Sequence, residues 1–372
     1  MRGRRVLITG GAGFIGSHLS DHLLAQGAAV RVLDALCPQV HGPGRRRPAY
    51  LDPEVELVVG DCRDSAAVGR ATRGVDAVVH LAAAVGVGQS MYEVSRYVAV
   101  NDLGTAVLLQ ALIANPVERL VVASSMSLYG EGLYRDTRGR LVQAERTRAQ
   151  LVQRSWEPVD DEGAPLEPVP TPETKPPALA SVYALSKFDQ ERMSLLVGAA
   201  YGMGVTALRF FNVYGTRQAL SNPYTGVLAI FAARCLNGRR PLVNEDGRQR
   251  RDFVSVRDVA AACRLALEAP GARGEVFNVG SGRDFTVLEV AERLAGALGR
   301  EDLPPEITQR YRVGDVRHCF ADIGKARRVL GYEPRVTFED GLEELAGWLE
   351  GQIAQDRVDE ARLELTARGL SL

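Results

Sequence analysis

Seven residues near the start of the chain, Gly10-Gly11-Ala12-Gly13-Phe14-Ile15-Gly16, restrict what it can fold into more than any other stretch. They follow the β-branched run Arg5-Val6-Leu7-Ile8-Thr9 directly, and residues 17–26 then repeat leucine at helical spacing (Leu19, Leu23, Leu24). This reads as a strand feeding a glycine turn into a helix. The helix N-terminus, with unpaired N–H groups and a positive dipole end, faces a space that a pyrophosphate can fill, and glycines let the backbone approach it. Glycines alone often only turn a chain. Here a second strand, residues 29–33, ends in Asp34, whose carboxylate can accept both hydroxyls of an adenosine ribose, so the two features support one dinucleotide site.

The carboxylate also selects the dinucleotide. A 2′-phosphate about 4 Å from Asp34 would meet a repulsion of ~4 kcal/mol at an effective dielectric of 20, and Ala35 supplies no cation to offset it. NAD is therefore expected rather than NADP. Arg45-Arg46-Arg47 would contradict this only by folding back toward such a phosphate; the triplet is read as a solvated loop.

The 372 residues carry 45 basic and 46 acidic side chains and are 46% hydrophobic, enough for a large core and without a bias toward nucleic acid or anionic membrane. No apolar run reaches about 18 residues, and Met1-Arg2-Gly3-Arg4-Arg5 leads straight into the first strand, so neither a membrane span nor a signal peptide is expected. Cys37, Cys62, Cys235, Cys263 and Cys319 are scattered without metal-ligand spacing. They read as reduced thiols of a cytoplasmic protein with no metal site.

Further along, residues 56–60 form a third strand ending in Asp61-Cys62, and residues 76–83 a fourth, with a helix at 65–72 between them. A helix at 102–114 and a fifth strand at 120–125 follow. Residues 131–177 are polar and proline-rich, and read as a long insertion, either functional or simply flexible. Residues 182–200 form a helix capped by Ser181, and 205–211 a sixth strand leaving through Asn212-Val213-Tyr214-Gly215. Alternation of this kind predicts an α/β protein with a doubly wound parallel sheet covered on both faces. Right-handed crossovers place the strand C-termini on one edge, lining a crevice with Gly10, Asp34, Asp61, Ala82 and Ser125. Beyond residue 216 the elements become short and mixed: helices at 229–237, 256–267 and 288–298, a strand at 275–279 and an amphipathic helix ending near Ile353. Residues 1–215 are therefore expected to form the NAD-binding domain, and residues 216–372 mainly a smaller mixed α/β substrate-binding lobe, with some segments returning to the first domain.

Tyr183 and Lys187 stand at i and i+4 on one helical face. A cation within about 4–6 Å lowers a phenol's pKa by roughly 1–3 units, which would make Tyr183 a general base for an alcohol and leave Lys187 free to hold the nicotinamide ribose. Ser125, at the end of a strand on the crevice edge, adds a second hydroxyl for a proton relay.

Taken together, the glycine turn, His80-Leu81-Ala82-Ala83, Ser124-Ser125 with Tyr129-Gly130, Tyr183-Ala184-Leu185-Ser186-Lys187 and Arg209-Phe210-Phe211-Asn212-Val213-Tyr214-Gly215 resemble the extended short-chain dehydrogenase/reductases that act on nucleotide sugars. Arg251-Asp252-Phe253, Val256 with Asp258, and Gly314-Asp315-Val316-Arg317 continue the likeness, which spans roughly residues 5–335 in order. The resemblance implies a Rossmann fold, tightly held NAD and the catalytic group Ser125, Tyr183 and Lys187. It implies cofactor contacts from Gly10, Gly13, Phe14, Ile15, Gly16, Asp34, Asp61, Cys62, Leu81, Ala82, Ala83, Asn101, Tyr183, Lys187 and Phe210. A nucleotide-diphosphate sugar would lie against Val87, Ser125, Met126, Ser127, Asn212, Gly226, Val227, Val243, Arg251 and Arg312, with Arg217 and Arg317 as weaker candidates. A homodimer through helices 102–114 and 182–200 is implied by analogy.

The family includes epimerases, dehydratases, decarboxylases and reductases, so the fold does not choose the reaction. Dehydratases of the family carry Thr-Asp-Glu where this chain has Ser125-Met126-Ser127, and decarboxylases a Glu in the last of those places. Neither Met nor Ser can act as the acid or base that eliminating water requires. The expectation is a 4-epimerase that oxidises C4 transiently, lets the keto sugar turn and reduces it again. Val85-Gly86-Val87-Gly88-Gln89-Ser90-Met91-Tyr92, Trp156-Glu157-Pro158 and Arg217-Gln218-Ala219-Leu220-Ser221-Asn222-Pro223-Tyr224-Thr225-Gly226-Val227 most resemble the 4-epimerases of dTDP-L-rhamnose, although Ala84 stands where a Glu is usual and residues 159–163 lack that group's cysteines. Alternatives are a UDP-sugar 4-epimerase, an NAD(P)H-dependent reductase of 4-keto sugars and a catalytically silent NAD-binding sensor or scaffold.

Overall fold

The computed structural model describes residues 1–224 and 226–371; Thr225, within the run that resembles the rhamnose epimerases, lies outside them. Strands Arg5–Thr9 (β1), Ala29–Asp34 (β2), Glu56–Val59 (β3), Ala77–His80 (β4), Arg119–Ser125 (β5), Gly204–Phe210 (β6) and Val276–Val279 (β7) pair in parallel in the order β7-β6-β5-β4-β1-β2-β3. Every residue of β4, β5 and β6 is buried, which accounts for their unbroken apolar runs, since a central parallel strand is covered on both faces. Helices Phe14–Ala25 (α1) and Val256–Glu268 (α5), with Gly324–Leu330, cover one face; Ser65–Thr72 (α2), Gly104–Ala114 (α3) and Val182–Tyr201 (α4) cover the other. The strand order reverses at β1 and β4, and a doubly wound sheet binds its ligand in the crevice at that reversal.

Three elements go beyond the sequence reading. The helix expected over 102–114 is the end of one helical run, Val94–Ala114, interrupted by a π-helical turn at Val98–Leu103. By length and composition that run could cross a membrane; here it packs beside α2 and α4 against the sheet. The helix and strand read at 256–267 and 275–279 are α5 and β7 and join the main sheet layer: β7 pairs with β6 and α5 packs on α1. Finally, the insertion has structure of its own. Leu133–Arg135, Leu141–Gln143 and Glu167–Val169 form an antiparallel sheet beside helix Arg148–Val152, which carries a capping box from Thr147 and Gln150. Strands of three residues are too short to show a period of two in sequence. Within the insertion, Asp160 accepts from the backbone N–H groups of Glu162 and Ala164 and closes a turn.

The remaining lobe has a separate apolar core around Phe231, Phe253, Phe285, Phe338 and Leu342. A buried ion network ties the insertion to it. Arg317, with no exposed side chain, pairs with Glu157, Glu245 and Asp246, while Arg146 pairs with Glu131 and Glu245.

Candidate active site

At the cofactor end of the crevice, Gly10 takes φ +68°, and a Cβ there would lie 2.9 Å from the Ala82 backbone, so the turn after β1 presses directly on the exit of β4. A Cβ on Gly16 would lie 2.4 Å from the Gly11 Cα, which brings the start of α1 against the same turn. Gly13 is the N-cap of α1, no side chain caps it and its first turn holds no acid, which leaves its N–H groups for an anion beside half-buried Phe14 and Ile15. Asp34 is buried; its Oδ2 accepts from the Ala12 N–H at 3.0 Å and its Oδ1 from the Leu36 N–H at 2.8 Å, so each oxygen keeps a lone pair for a ribose hydroxyl. Tyr50 donates to the Ala12 carbonyl at 2.9 Å. Arg47 is spent on the carbonyls of Asp52 and Val55, in agreement with the loop reading of that triplet. These residues fit NAD.

Two expected contacts here need qualifying. Asp61 is already held by Arg63 at 2.7 Å, which keeps its carboxyl below the usual range, so its side chain points to a surface pair. Asn101 is fully buried, and its amide is used inside the protein: it accepts from the Ala84 N–H at 2.7 Å and donates to the Ala84 carbonyl and Ser186 Oγ. It shapes the wall after Leu81, Ala82 and Ala83 and does not itself reach into the crevice. Cys62 and Phe210 are both buried, the thiol pushed up to about 12 mainly by desolvation.

Ser125 ends β5 in register with Phe210 of β6. Its Oγ accepts from the Ser127 N–H at 3.1 Å and from the Ser127 hydroxyl at 2.9 Å, which leaves its own proton free to donate. The Tyr183 phenol faces Ser125 from the first turn of α4, and the Tyr183 N–H donates to Ser90 Oγ at 3.0 Å. Contrary to expectation, the phenol is raised: burial favours its neutral form, and the Ser125 hydroxyl offsets only part of this. Lys187 is buried as well: desolvation takes its ammonium down to about 7, and it donates to Gln190 Oε1 at 2.7 Å.

Behind Lys187 lies a polar cluster that sequence reasoning missed. Thr105 donates to the Asn101 carbonyl and therefore accepts from Gln190 at 2.7 Å and from His80 Nε2 at 2.9 Å, which assigns His80 the neutral Nε2–H tautomer with Nδ1 accepting from Thr9 at 2.7 Å. Burial holds His80 down to about 3. The only sequence signal was His80 inside an otherwise apolar strand.

On the substrate side, Met126 and Ser127 form the turn after β5, and Val87 lies against Gly314 beside Ser181. Asn212 Oδ1 is buried with no partner, as suits a group that meets a ligand. Arg251 donates to the carbonyls of Arg250, Val316 and Arg317, which fix its guanidinium, and Arg312 pairs with Asp315 at 2.6 Å. Gly226 is the N-cap of helix Val227–Leu236, and Val227 packs on the lobe core. Val243 is fully buried in that core, so it supports the cleft by packing and not by contact. Arg317 serves the ion network, and Arg217 pairs with Asp21 at 2.7 Å and lies over the Tyr50 ring, so both weaker candidates have structural partners. The C-terminal helix Val358–Ala367 was not foreseen at the site: Leu365 packs on Gly88, and Arg368 stacks over Tyr92 at 4.5 Å.

A doubly wound sheet with an uncapped glycine turn, an acid at the end of β2 and a Ser, Tyr and Lys on one edge defines an NAD-binding short-chain dehydrogenase/reductase of the extended kind. Within that class the chain belongs to the NAD dependent epimerase/dehydratase family, whose profile matches residues 6–280. It is 36% identical over 352 residues to a dTDP-L-rhamnose 4-epimerase of Burkholderia thailandensis, covering 93% of this chain and 95% of that protein. The UDP-glucose 4-epimerase of Thermotoga maritima, solved with UDP-glucose, superposes with a TM-score of 0.76 at 32% identity, covering 93% and 98% of the two chains. The dTDP-glucose 4,6-dehydratase DesIV of Streptomyces venezuelae, solved with NAD, gives a TM-score of 0.76 at 30% identity and covers 93% and 97%. The protein is thus an enzyme of the isomerase class, an NAD-dependent epimerase of nucleotide sugars in type.

Proposed function

We propose that the protein inverts C4 of a dTDP-activated 6-deoxyhexose such as dTDP-L-rhamnose. The observation that carries this reading is the turn Ser125-Met126-Ser127: Ser125 meets the Tyr183 phenol, and the turn carries two hydroxyls and a thioether but no carboxyl group to eliminate water. The likeness to the Burkholderia enzyme supports the choice of sugar. A UDP-hexose is the second reading, favoured by the likeness to the Thermotoga enzyme.

In this reading Tyr183 acts as the phenolate: Ser125 donates its proton to the phenolate oxygen as it takes the one leaving the C4 hydroxyl, the hydrogen bond from the Ser127 hydroxyl giving way to free the lone pair. Tyr183 takes that proton, directly or through Ser125, and returns it after the sugar has turned. NAD, held along Gly13, Asp34 and Lys187, supplies the hydride acceptor and donor. Arg251, Arg312 and Asn212 bind the diphosphate, where planar guanidinium groups match pairs of phosphate oxygens. Firm hold of the nucleotide and weak hold of the sugar let the ring rotate against the small wall of residues 82–88.

The test is incubation with dTDP- and UDP-sugars, with C4 configuration followed by NMR. Interconversion of dTDP-L-rhamnose and its 4-epimer is the expected outcome; accumulation of a stable keto sugar, or stoichiometric oxidation of added NAD(P)H, would overturn the reading in favour of a dehydratase or reductase. We also propose a cytoplasmic homodimer: Val94, Val98, Leu103, Leu185 and Leu196 leave an apolar face on two neighbouring helices, and sedimentation should give twice the chain mass.

A further inference from the structure

We propose that Gln39 is a clasp that holds the dinucleotide in place between turnovers. Gln39 lies on the short helix Pro38–His41, in the segment after β2. Its Nε2 donates to Gln89 Oε1 at 3.3 Å and to Asn222 Oδ1 at 3.1 Å, and its Oε1 accepts from Arg96 at 2.6 Å. Gln89 belongs to the segment after β4, and Asn222 to the lobe.

Sheet order gives this cluster its meaning. β1 stands between β2 and β4, so a hydrogen bond joining the segment after β2 to the segment after β4 bridges the C-terminal end of β1. That end carries the glycine turn and the uncapped start of α1. A dinucleotide held by Asp34, the turn and Lys187 would have to pass under the bridge, and its release would then require the bridge to open.

The cluster is built to be specific. Tyr97 donates to Gln89 Oε1 at 3.2 Å and the Tyr224 N–H donates to Asn222 Oδ1 at 3.1 Å, so both amides present an oxygen to Gln39 and cannot flip without losing a bond. Gln89 Nε2 donates to Glu93, which also pairs with Arg96 at 2.6 Å. Tyr97 packs edge-on against Tyr183 at 6.4 Å, and Tyr92 bonds Tyr224 at 2.6 Å, so the clasp touches both the catalytic tyrosine and the lobe. Gln89 and Asn222 are buried, so water competes poorly for these bonds. Gln39 acts on the cofactor through this arch and is a positioning residue.

The experiment measures exchange of bound NAD against excess labelled NAD in the full chain, without sugar, so the result does not depend on which substrate is turned over. Gln39→Glu keeps the length and the Arg96 partner but sets a carboxylate against two amide oxygens; Gln39→Ala removes the arch. Both should exchange NAD at least about tenfold faster than wild type, with the melting temperature of Gln39→Glu near normal. Exchange at the wild-type rate in both variants, or loss of melting temperature without faster exchange, would overturn the clasp.

Discussion

Lys187 Nζ donates to Gln190 Oε1 at 2.7 Å, and the Nε2 of the same amide donates to Thr105 at 2.7 Å, so the lysine expected to serve the cofactor is held from below by a residue one turn further along α4. Gln190→Leu should leave a buried ammonium without its acceptor, at a cost of about 1–3 kcal/mol. Urea unfolding checks the loss, and the NAD content of the purified variant should fall with it.

His80 gives the fold an acid limit. Its pKa is 6.5 when exposed and about 3 in the folded chain, so between those values the unfolded chain takes up a proton that the native state refuses. The contribution is complete above pH 6.5 and is lost as pH falls, at about 1.4 kcal/mol per pH unit. Unfolding free energy measured from pH 7 to pH 4 should fall less steeply in His80→Gln than in wild type, whatever the variant's stability at neutral pH.

Arg317 is enclosed by Glu157, Glu245 and Asp246. Arg317→Met would remove the cation shared by buried Glu245 and the partly exposed Glu157 and Asp246, and because Glu245 keeps Arg146 and water reaches the other two, the cost should be about 1–3 kcal/mol. Because Glu157 lies in the insertion, limited proteolysis should then cut within residues 131–177 well before it cuts the sheet.

Tyr183→Phe retains the ring against Tyr97 and removes the hydroxyl that faces Ser125. Turnover should drop by about 10²–10⁴, the usual contribution of a general base, while NAD content stays near wild type. Unchanged turnover would place the base elsewhere.

The crevice was legible in sequence because its parts are local. Gly10 to Gly16 and Asp34 act through backbone geometry and strand ends, and Tyr183 with Lys187 through helical spacing. The insertion was not, because its strands are three residues long and its anchor, Arg317, finds Glu157 from 160 positions away. The Tyr183 phenol was misjudged for a related reason: helical spacing places Lys187 nearby but gives no measure of burial, which raises the phenol and lowers the ammonium.

The amino-acid sequence by itself determined the parallel sheet, the dinucleotide turn and the hydroxyl-bearing edge, since strand period, glycine freedom and helix spacing are properties of neighbours along the chain. Tertiary structure alone decided which buried groups are charged, that residues 131–177 are folded, and that Gln39, Gln89 and Asn222 meet above β1. Those outcomes depend on desolvation and on contacts between distant segments, which no local pattern encodes.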